Sequence, residues 1–299
     1  NDVIIASTGV IGQPLPLEPI VNGMHALVGE LSVTGGHSAS AAIMTTDLVE
    51  KHCSVEVTIG GKTVTIGGIA KGSGMIHPNM ATMLVFITSD CAITPEMLQK
   101  AVSNDVKDTF NMISVDGDTS TNDMLSVMAN GLADNPVIDA EGEDFDLFCQ
   151  ALNKVTTYLS RAIARDGEGA TKLLSCIVTG AKTQDDARAL AKSVISSSLV
   201  KTAMFGSDAN WGRVLCALGY SGVAFDPTGT NVSFASSEGV IDVCHQGEAL
   251  DFDETLAKKI LSENEVKILV TMKEGPYTAT ALGCDLSYDY VKINGDYRS

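Results

Sequence analysis

The sequence predicts a mixed α/β fold with helices covering sheets, and three observations carry that expectation. Residues on either side of Gly60-Gly61-Lys62 alternate apolar and polar, the period of paired strands. Two longer stretches, 145–163 and 187–195, repeat apolar residues every three or four positions, the period of a helix buried on one face. At 299 residues the chain can bury a large core, in one domain or in two intimately joined ones.

The elements follow in order. Val3 to Ala6 reads as a short buried strand entering the turn Ser7 to Gly12. Val55 to Ile59 and Thr63 to Ile69 form a hairpin, and Thr82 to Thr88 a buried strand. Thr94-Pro95-Glu96 starts a helix with a capping hydroxyl, a proline at the first position and an early acid; Leu98, Val102, Val106 and Phe110 follow on one face. Asp116, Asp118 and Asp123 read as a turn capping a helix that begins near Thr121. Phe145, Phe148, Leu152, Val155, Leu159 and Ile163 mark a long helix ended by Gly167. Leu173 to Val178 returns as a strand, before the helix of Ala187, Leu190, Ala191, Val194 and Ile195. The remainder reads as strand-rich, with strands at Val266 to Met272 and Tyr277 to Leu282 and a short helix near Glu254 to Ser262. No tandem repeat or low-complexity linker divides the chain.

Composition removes several functions. An apolar content of 44% argues against disorder, and no segment approaches the roughly 18 uninterrupted apolar residues of a spanning helix. Twenty basic residues against 37 acidic give a net charge of −17, which repels phosphate backbones and leaves no basic stripe for nucleic acid. The 7 cysteines form no CxxC pair, and their odd number fits reduced, mostly core thiols of a cytoplasmic protein. Asn1-Asp2 before Val-Ile-Ile-Ala has no basic n-region and no long apolar stretch, so it is not a signal peptide; a start this close to a strand leads us to expect a further segment upstream.

The most informative stretch is Lys71-Gly-Ser-Gly-Met-Ile-His-Pro-Asn-Met-Ala81-Thr82-Met-Leu. A threonine stands directly after a small residue, where a loop becomes an apolar strand. A threonine hydroxyl is a weak nucleophile that needs a neighbouring base. Cleavage of the Ala81–Thr82 bond would supply one, because a free α-amino group titrates at about 7.7–8.0.

Lys71-Gly-Ser-Gly-Met, Pro78-Asn-Met-Ala-Thr-Met-Leu, Val115-Asp-Gly-Asp-Thr-Ser-Thr-Asn-Asp123, Asp166-Gly-Glu-Gly-Ala-Thr-Lys172 and Asn210-Trp-Gly-Arg213 together resemble the ornithine acetyltransferase (glutamate N-acetyltransferase) family of arginine biosynthesis. The resemblance runs from Ser7 to the last residue. It implies a four-layer α/β/β/α sandwich with mixed sheets, similar in architecture to the N-terminal-nucleophile hydrolases. It also implies a precursor that cuts itself before the threonine, giving an α chain whose C-terminal part is residues 1–81 and a β chain of residues 82–299, both in one α/β unit. The β threonine is acetylated by N2-acetyl-L-ornithine, ornithine leaves, and L-glutamate takes the acetyl group in a ping-pong cycle. Some members also use acetyl-CoA. The two chains usually assemble as α2β2, and no cofactor or metal is needed. Members carry on the order of a hundred further residues before Ser7, the size of a domain element of their own.

Carried onto this sequence, the resemblance makes Thr82 the nucleophile, where residue type alone would read a β-branched strand residue. Thr8 and Gly9 match the oxyanion hole, against the plain alternative of a turn glycine beside a locally bonded threonine. Lys71 matches a substrate-binding cation, against a solvated loop lysine, and Glu168 a substrate-binding acid, against an exposed helix-terminal carboxylate. One of Thr45 and Thr46 matches a substrate-binding position, as do Asn294 and Ser299, the last a threonine in most members.

Two other functions fit the same residues less well. One is an aminopeptidase or amidase of the same architecture that passes the acyl group to water; the other is a non-catalytic homologue that binds an amino acid or acyl-CoA. Metal ligation fails on pattern: the aspartates of 116–123 lack the glycine position and closing glutamate of a Ca²⁺ loop, and His25, His37, His52, His77 and His245 make no metal motif. His77 reads as a loop residue rather than a base, and Trp211 as core.

Overall fold

A computed structural model of the chain describes residues 3–79 and 82–296. In chain order its elements are α1 (Glu18–Gly29), α2 (Gly36–Ala42), β1 (Lys51–Ile59), β2 (Lys62–Lys71), β3 (Leu84–Ser89), α3 (Pro95–Asp105), β4 (Ile113–Ser114), β5 (Met124–Ala129), α4 (Glu143–Arg165) and β6 (Leu173–Ala181). There follow α5 (Gln184–Ser196), α6 (Ser198–Phe205), α7 (Trp211–Gly219), β7 (Asn231–Ser236), β8 (Gly239–His245), β9 (Glu248–Ala249), α8 (Glu254–Leu261), β10 (Glu265–Thr271), β11 (Tyr277–Cys284) and α9 (Tyr288–Asp296). The strands form two mixed sheets, a smaller one in the order β1-β2-β3-β5 and a larger one in the order β4-β11-β6-β10-β7-β8-β9. The chain thus has the predicted α/β class. None of the described helices is long and apolar enough to cross a membrane.

Each sheet has its own core. Cys176, Val178, Val232 and Ile268 of the larger sheet pack with Leu190 and Val194 of α5 and with residues of α6, α7 and α8. Val64, Ile66, Val85 and Ile87 of the smaller sheet pack with Phe148, Leu152, Val155 and Leu159 of α4. Each such side chain contributes about 1.5–3 kcal/mol by leaving water. α4 lies on β1 and β2 and also reaches β11 and β6, so one long helix joins the two sheets.

The β1–β2 hairpin turns at Gly60 and Gly61, whose φ values of 54° and 77° are those of the two-residue turn that matches strand twist. β2 pairs antiparallel with β3, and β3 parallel with β5, in a register that sets Lys71 beside Leu84 and Leu84 beside Met124. One end of the smaller sheet therefore carries the end of β2, the segment before β3 and the loop before β5.

Three local expectations change. Val3, Ile4 and Ile5 are exposed and outside any strand, because no described strand pairs with them and their backbone stays in water. No helix begins near Thr121; residues 116–123 form a loop into β5. The aspartates there accept from distant backbone N–H groups of 75, 76 and 83 rather than from a first helical turn. The stretches read as strand-rich or left unassigned also hold α1, α2, α6, α7 and α9. α7 has a recognisable start, since Asn210 Oδ1 accepts from Arg213 N at 3.1 Å as its cap.

Candidate active site

At this end of the smaller sheet lies a cavity of about 240 Å³. Thr8 and Gly9 line it from the N-terminal segment, and Thr45 and Thr46 from the loop after α2. Lys71 lines it from the end of β2, Thr82 from the approach to β3, Glu168 from the loop after α4, and Asn294 from α9. The fold thus brings every described site residue of the sequence reading to one space. Ala81 and Ser299 lie outside the described residues.

Thr82 is half-buried, and its Oγ1 is sealed from solvent with no hydrogen-bond partner among the described residues. A buried hydroxyl left unpaired costs about 1–3 kcal/mol, so Thr82 Oγ1 has a donor and an acceptor that the described residues do not use.

Lys71 is only 3% exposed, and its ammonium forms no ion pair among the described residues; its contact is Thr45 Oγ1 at 3.5 Å. Burial pushes this lysine below its ordinary pKa, against the pull of Asp47 and Asp123. An unpaired cation beside a cavity has the charge to receive a carboxylate.

Glu168 is buried and held on both oxygens: Thr46 Oγ1 donates to Oε1 at 2.8 Å and Asn294 Nδ2 to Oε2 at 2.7 Å. Ser73 Oγ stands 2.6 Å from Thr46 Oγ1, and Glu168 N donates to Ser73 O at 2.8 Å. Gly74 makes this approach possible. A Cβ there would sit 2.4 Å from all three atoms of the Glu168 carboxyl group. Gly74→Ala is therefore expected to displace the carboxylate from Thr46 and Asn294 and lower kcat/KM about 10-fold or more. The same substitution should cost about 1–3 kcal/mol of stability, since a buried carboxylate loses its two side-chain donors. Steady-state kinetics and urea unfolding measure the two effects separately.

Several contributors were not assigned to the site from the sequence. Asp116 accepts from Met75 N at 2.7 Å and Ile76 N at 3.0 Å, and Tyr290 OH donates to it at 3.3 Å, so it shapes the loop after Lys71. Burial pushes its carboxyl above the usual aspartate value despite these donors. Asn122 Nδ2 donates to Ser7 O at 3.1 Å and ties the segment of Thr8 and Gly9 to the loop before β5. Beneath the cavity, Lys51 Nζ reaches Asp47 Oδ1 and Asp166 Oδ2, each at 2.6 Å. The motifs contain Asp116, Asn122 and Asp166 but not Asp47, Lys51 or Tyr290, and only the fold brings such distant partners as Lys51 and Asp166, or Asp116 and Tyr290, into contact.

Other singled-out residues stand elsewhere. His77 lines a separate depression with Lys192 and Arg188, and burial followed by the charge of Lys192 lowers its pKa to about 4. Trp211 packs partly buried on the core of the larger sheet. Lys172 donates to the carbonyls of Met204 and Leu261, both at 2.6 Å, which makes it a structural tie. His37 and His52, far apart in pattern, meet Glu50 at the surface with ligand atoms within 4.8 Å of one another, a grouping that sequence spacing does not reveal. None of the three lines the cavity.

The ArgJ family model matches residues 1–299. The arginine biosynthesis bifunctional protein ArgJ of Caldanaerobacter subterraneus is 53% identical over 100% of this chain and 74% of its own length. ArgJ 1 of Clostridium acetobutylicum, with the same description, is 53% identical over 100% of this chain and 73% of its own. Among solved structures, the crystal structure of the arginine biosynthesis bifunctional protein argJ from Bacillus halodurans is similar with a TM-score of 0.67 at 46% identity; the match covers 71% of this chain and 98% of that one. With a full-length family match and half its residues identical to those of such relatives, the chain belongs to the ArgJ family.

Proposed function

We propose that the chain is an acetyltransferase that moves the acetyl group of N2-acetyl-L-ornithine to L-glutamate, with acetyl-CoA as a further donor. The observation that carries this reading is the gathering of Thr82, Thr8, Gly9, Lys71 and Glu168 around one cavity in a chain of the ArgJ family.

Maturation comes first. The bond between Ala81 and Thr82 breaks, residues 1–81 end the α chain, residues 82–299 form the β chain, and pairs of chains assemble as α2β2 in the cytoplasm.

Catalysis then needs a base, an oxyanion site and substrate holds. Thr82 Oγ attacks the acetyl carbonyl carbon while its proton passes to the free α-amino group. The hydroxyl of Thr8 and the N–H of Gly9 receive the charge on the carbonyl oxygen, a role in which one donor is worth about 10²–10³ in rate. Collapse expels ornithine with the proton and leaves an acetyl ester on Thr82. The amine of glutamate attacks that ester, Thr82 Oγ leaves and is reprotonated, and N-acetylglutamate departs. Lys71 holds a substrate carboxylate, and Glu168, supported by Thr46 and Asn294, holds an amino group; Thr45 and Ser299 complete the substrate site.

Acetyl-labelled N2-acetylornithine with glutamate tests the reaction. Label is expected in N-acetylglutamate; label found only in free acetate favours an amidase of the same architecture. Mass spectrometry is expected to resolve two chains, and a single uncut species in folded, complete protein would count against the mechanism and favour a binding homologue. Lys71→Met is expected to raise the KM for glutamate about 10²-fold or more, because it leaves a substrate carboxylate unpaired in a buried site. An unchanged KM would remove Lys71 from substrate binding.

A further inference from the structure

Asp123 closes the loop before β5, and the parallel register of β3 and β5 sets it beside the residue that follows Thr82. Met124 N donates to Met83 O at 2.9 Å, and Met83 N donates back to Asp123 Oδ1 at 2.8 Å. One oxygen of the carboxylate is therefore fixed against the backbone nitrogen next in line to that of Thr82. The other, Oδ2, is sealed from solvent and has no hydrogen-bond partner among the described residues, the same condition as Thr82 Oγ1. Two orphaned buried polar atoms thus belong to Thr82 and to the carboxylate that holds the amide of its chain neighbour Met83.

An ionised carboxylate only accepts, so Oδ2 requires a donor. In the uncut chain Thr82 offers one amide N–H. Cleavage replaces it by an amine, which carries two hydrogens when neutral and three when protonated. We infer that Asp123 is the positioning residue of the catalytic base: it takes the α-amino group of the mature Thr82 on Oδ2, aims its lone pair at Thr82 Oγ and stabilises the ammonium that forms. The inference rests on Thr82 being the self-released nucleophile proposed above. The arrangement has the logic of a triad, in which a nucleophile and its base are oriented by a third group. Protons balance without Asp123. The Oγ–H bond breaks, its proton joins the amine lone pair, Oγ bonds the acetyl carbon, and the proton later leaves with ornithine; Asp123 neither gains nor loses one.

The charges facing Asp123 fit this role. Lys71 from β2 and Lys192 from α5 lie near enough to draw its pKa down, as does the Met83 N–H, while burial raises it to about 6. The carboxylate is then charged at the neutral pH where the amine must work. Burial lowers Lys192 to about 8 against the pull of Asp123, and Lys71 feels Asp47 as well as Asp123; Asp116, Asp118 and Glu168 are the further carboxylates of the cavity wall. Both lysines favour a neutral amine. Asp123 favours the ammonium, and its removal should lower the amine pKa.

The test compares wild type with Asp123→Asn, which can still accept from Met83 N but lacks the charge. Intact mass is measured first, then kcat, KM and the pH profile of the cleaved proteins. The expected result is kcat reduced about 10–10²-fold, the KM for glutamate within about 3-fold, and the acid limb of the kcat/KM profile moved down by about one pH unit. Asp123→Glu, which restores the charge, should return the limb towards its wild-type position. A cleaved variant with an unmoved limb would overturn the inference while leaving the role of Thr82 intact; an uncut wild type would overturn both. If Asp123→Asn does not fold or cleave, a crystal structure of the cleaved wild type decides. Asp123 Oδ2 within about 3.2 Å of the Thr82 amine supports the inference, and a carboxylate turned away from it overturns it.

Discussion

Thr82→Ala is expected to abolish both chain cleavage and acetyl transfer, with kcat lowered about 10⁴-fold or more, the scale of loss when a nucleophile is removed from a cooperative site. Its physical basis is the Thr82 hydroxyl, which is buried and makes no hydrogen bond among the described residues, on a residue that lines the same cavity as Lys71 and Glu168. Deleting it breaks no described hydrogen bond, so stability should change by less than about 1 kcal/mol. Structural damage and chemical loss are thereby separated. Thr82→Ser keeps the hydroxyl and should retain part of both activities. Intact mass, N-acetylglutamate formation and urea unfolding together provide the check, and normal processing in Thr82→Ala would remove Thr82 from the mechanism.

What the sequence revealed of this site was its chemistry at each position, and what it concealed was how the positions meet. Lys71, Thr82 and Glu168 stood out through their glycine and small-residue settings, yet only the pairing of β2 with β3 puts Lys71 next to Leu84. The hairpin at Gly60-Gly61, the cap at Thr94 and the long helix from Glu143 were legible because local rules decide them. The loop 116–123 was misread for the converse reason. Its aspartates look like helix caps, but they serve the N–H groups of Met75, Ile76 and Met83, some 40 residues away. A carboxylate does not announce in sequence which backbone it will hold.

The same limit hid the ion network under the cavity, which carries the second large effect. Lys51 is 1% exposed and bridges Asp47 and Asp166 at 2.6 Å to each. Asp47 Oδ1 also accepts from Gly72 N at 2.7 Å, and its Oδ2 from Thr45 N at 3.2 Å. Asp166 Oδ2 accepts from Leu48 N at 3.0 Å. The loops bearing Thr45 and Thr46, Lys71, and Glu168 therefore share one buried cation. Lys51→Met should cost about 3–5 kcal/mol, because it leaves two facing carboxylates without their counter-charge. It should also lower kcat/KM about 10²-fold through misplaced loops.

The dependence on pH distinguishes this from simple loss of packing. In the wild type, burial raises the Asp47 pKa, but Lys51 and the N–H groups of Gly72 and Thr45 outweigh it and hold the carboxyl below 3.8. A depressed folded pKa gives stability that is present above the unfolded value and is lost as pH falls through the folded one. Without Lys51 only the N–H groups of Gly72 and Thr45 oppose burial, so the Asp47 pKa rises and the carboxylate protonates earlier on acidification: lowering the pH from 7 towards 5 should reduce the deficit of the variant. Urea unfolding at both pH values measures it. A deficit below about 1 kcal/mol at pH 7, or one that stays constant on acidification, would mean that the cation does not hold these loops.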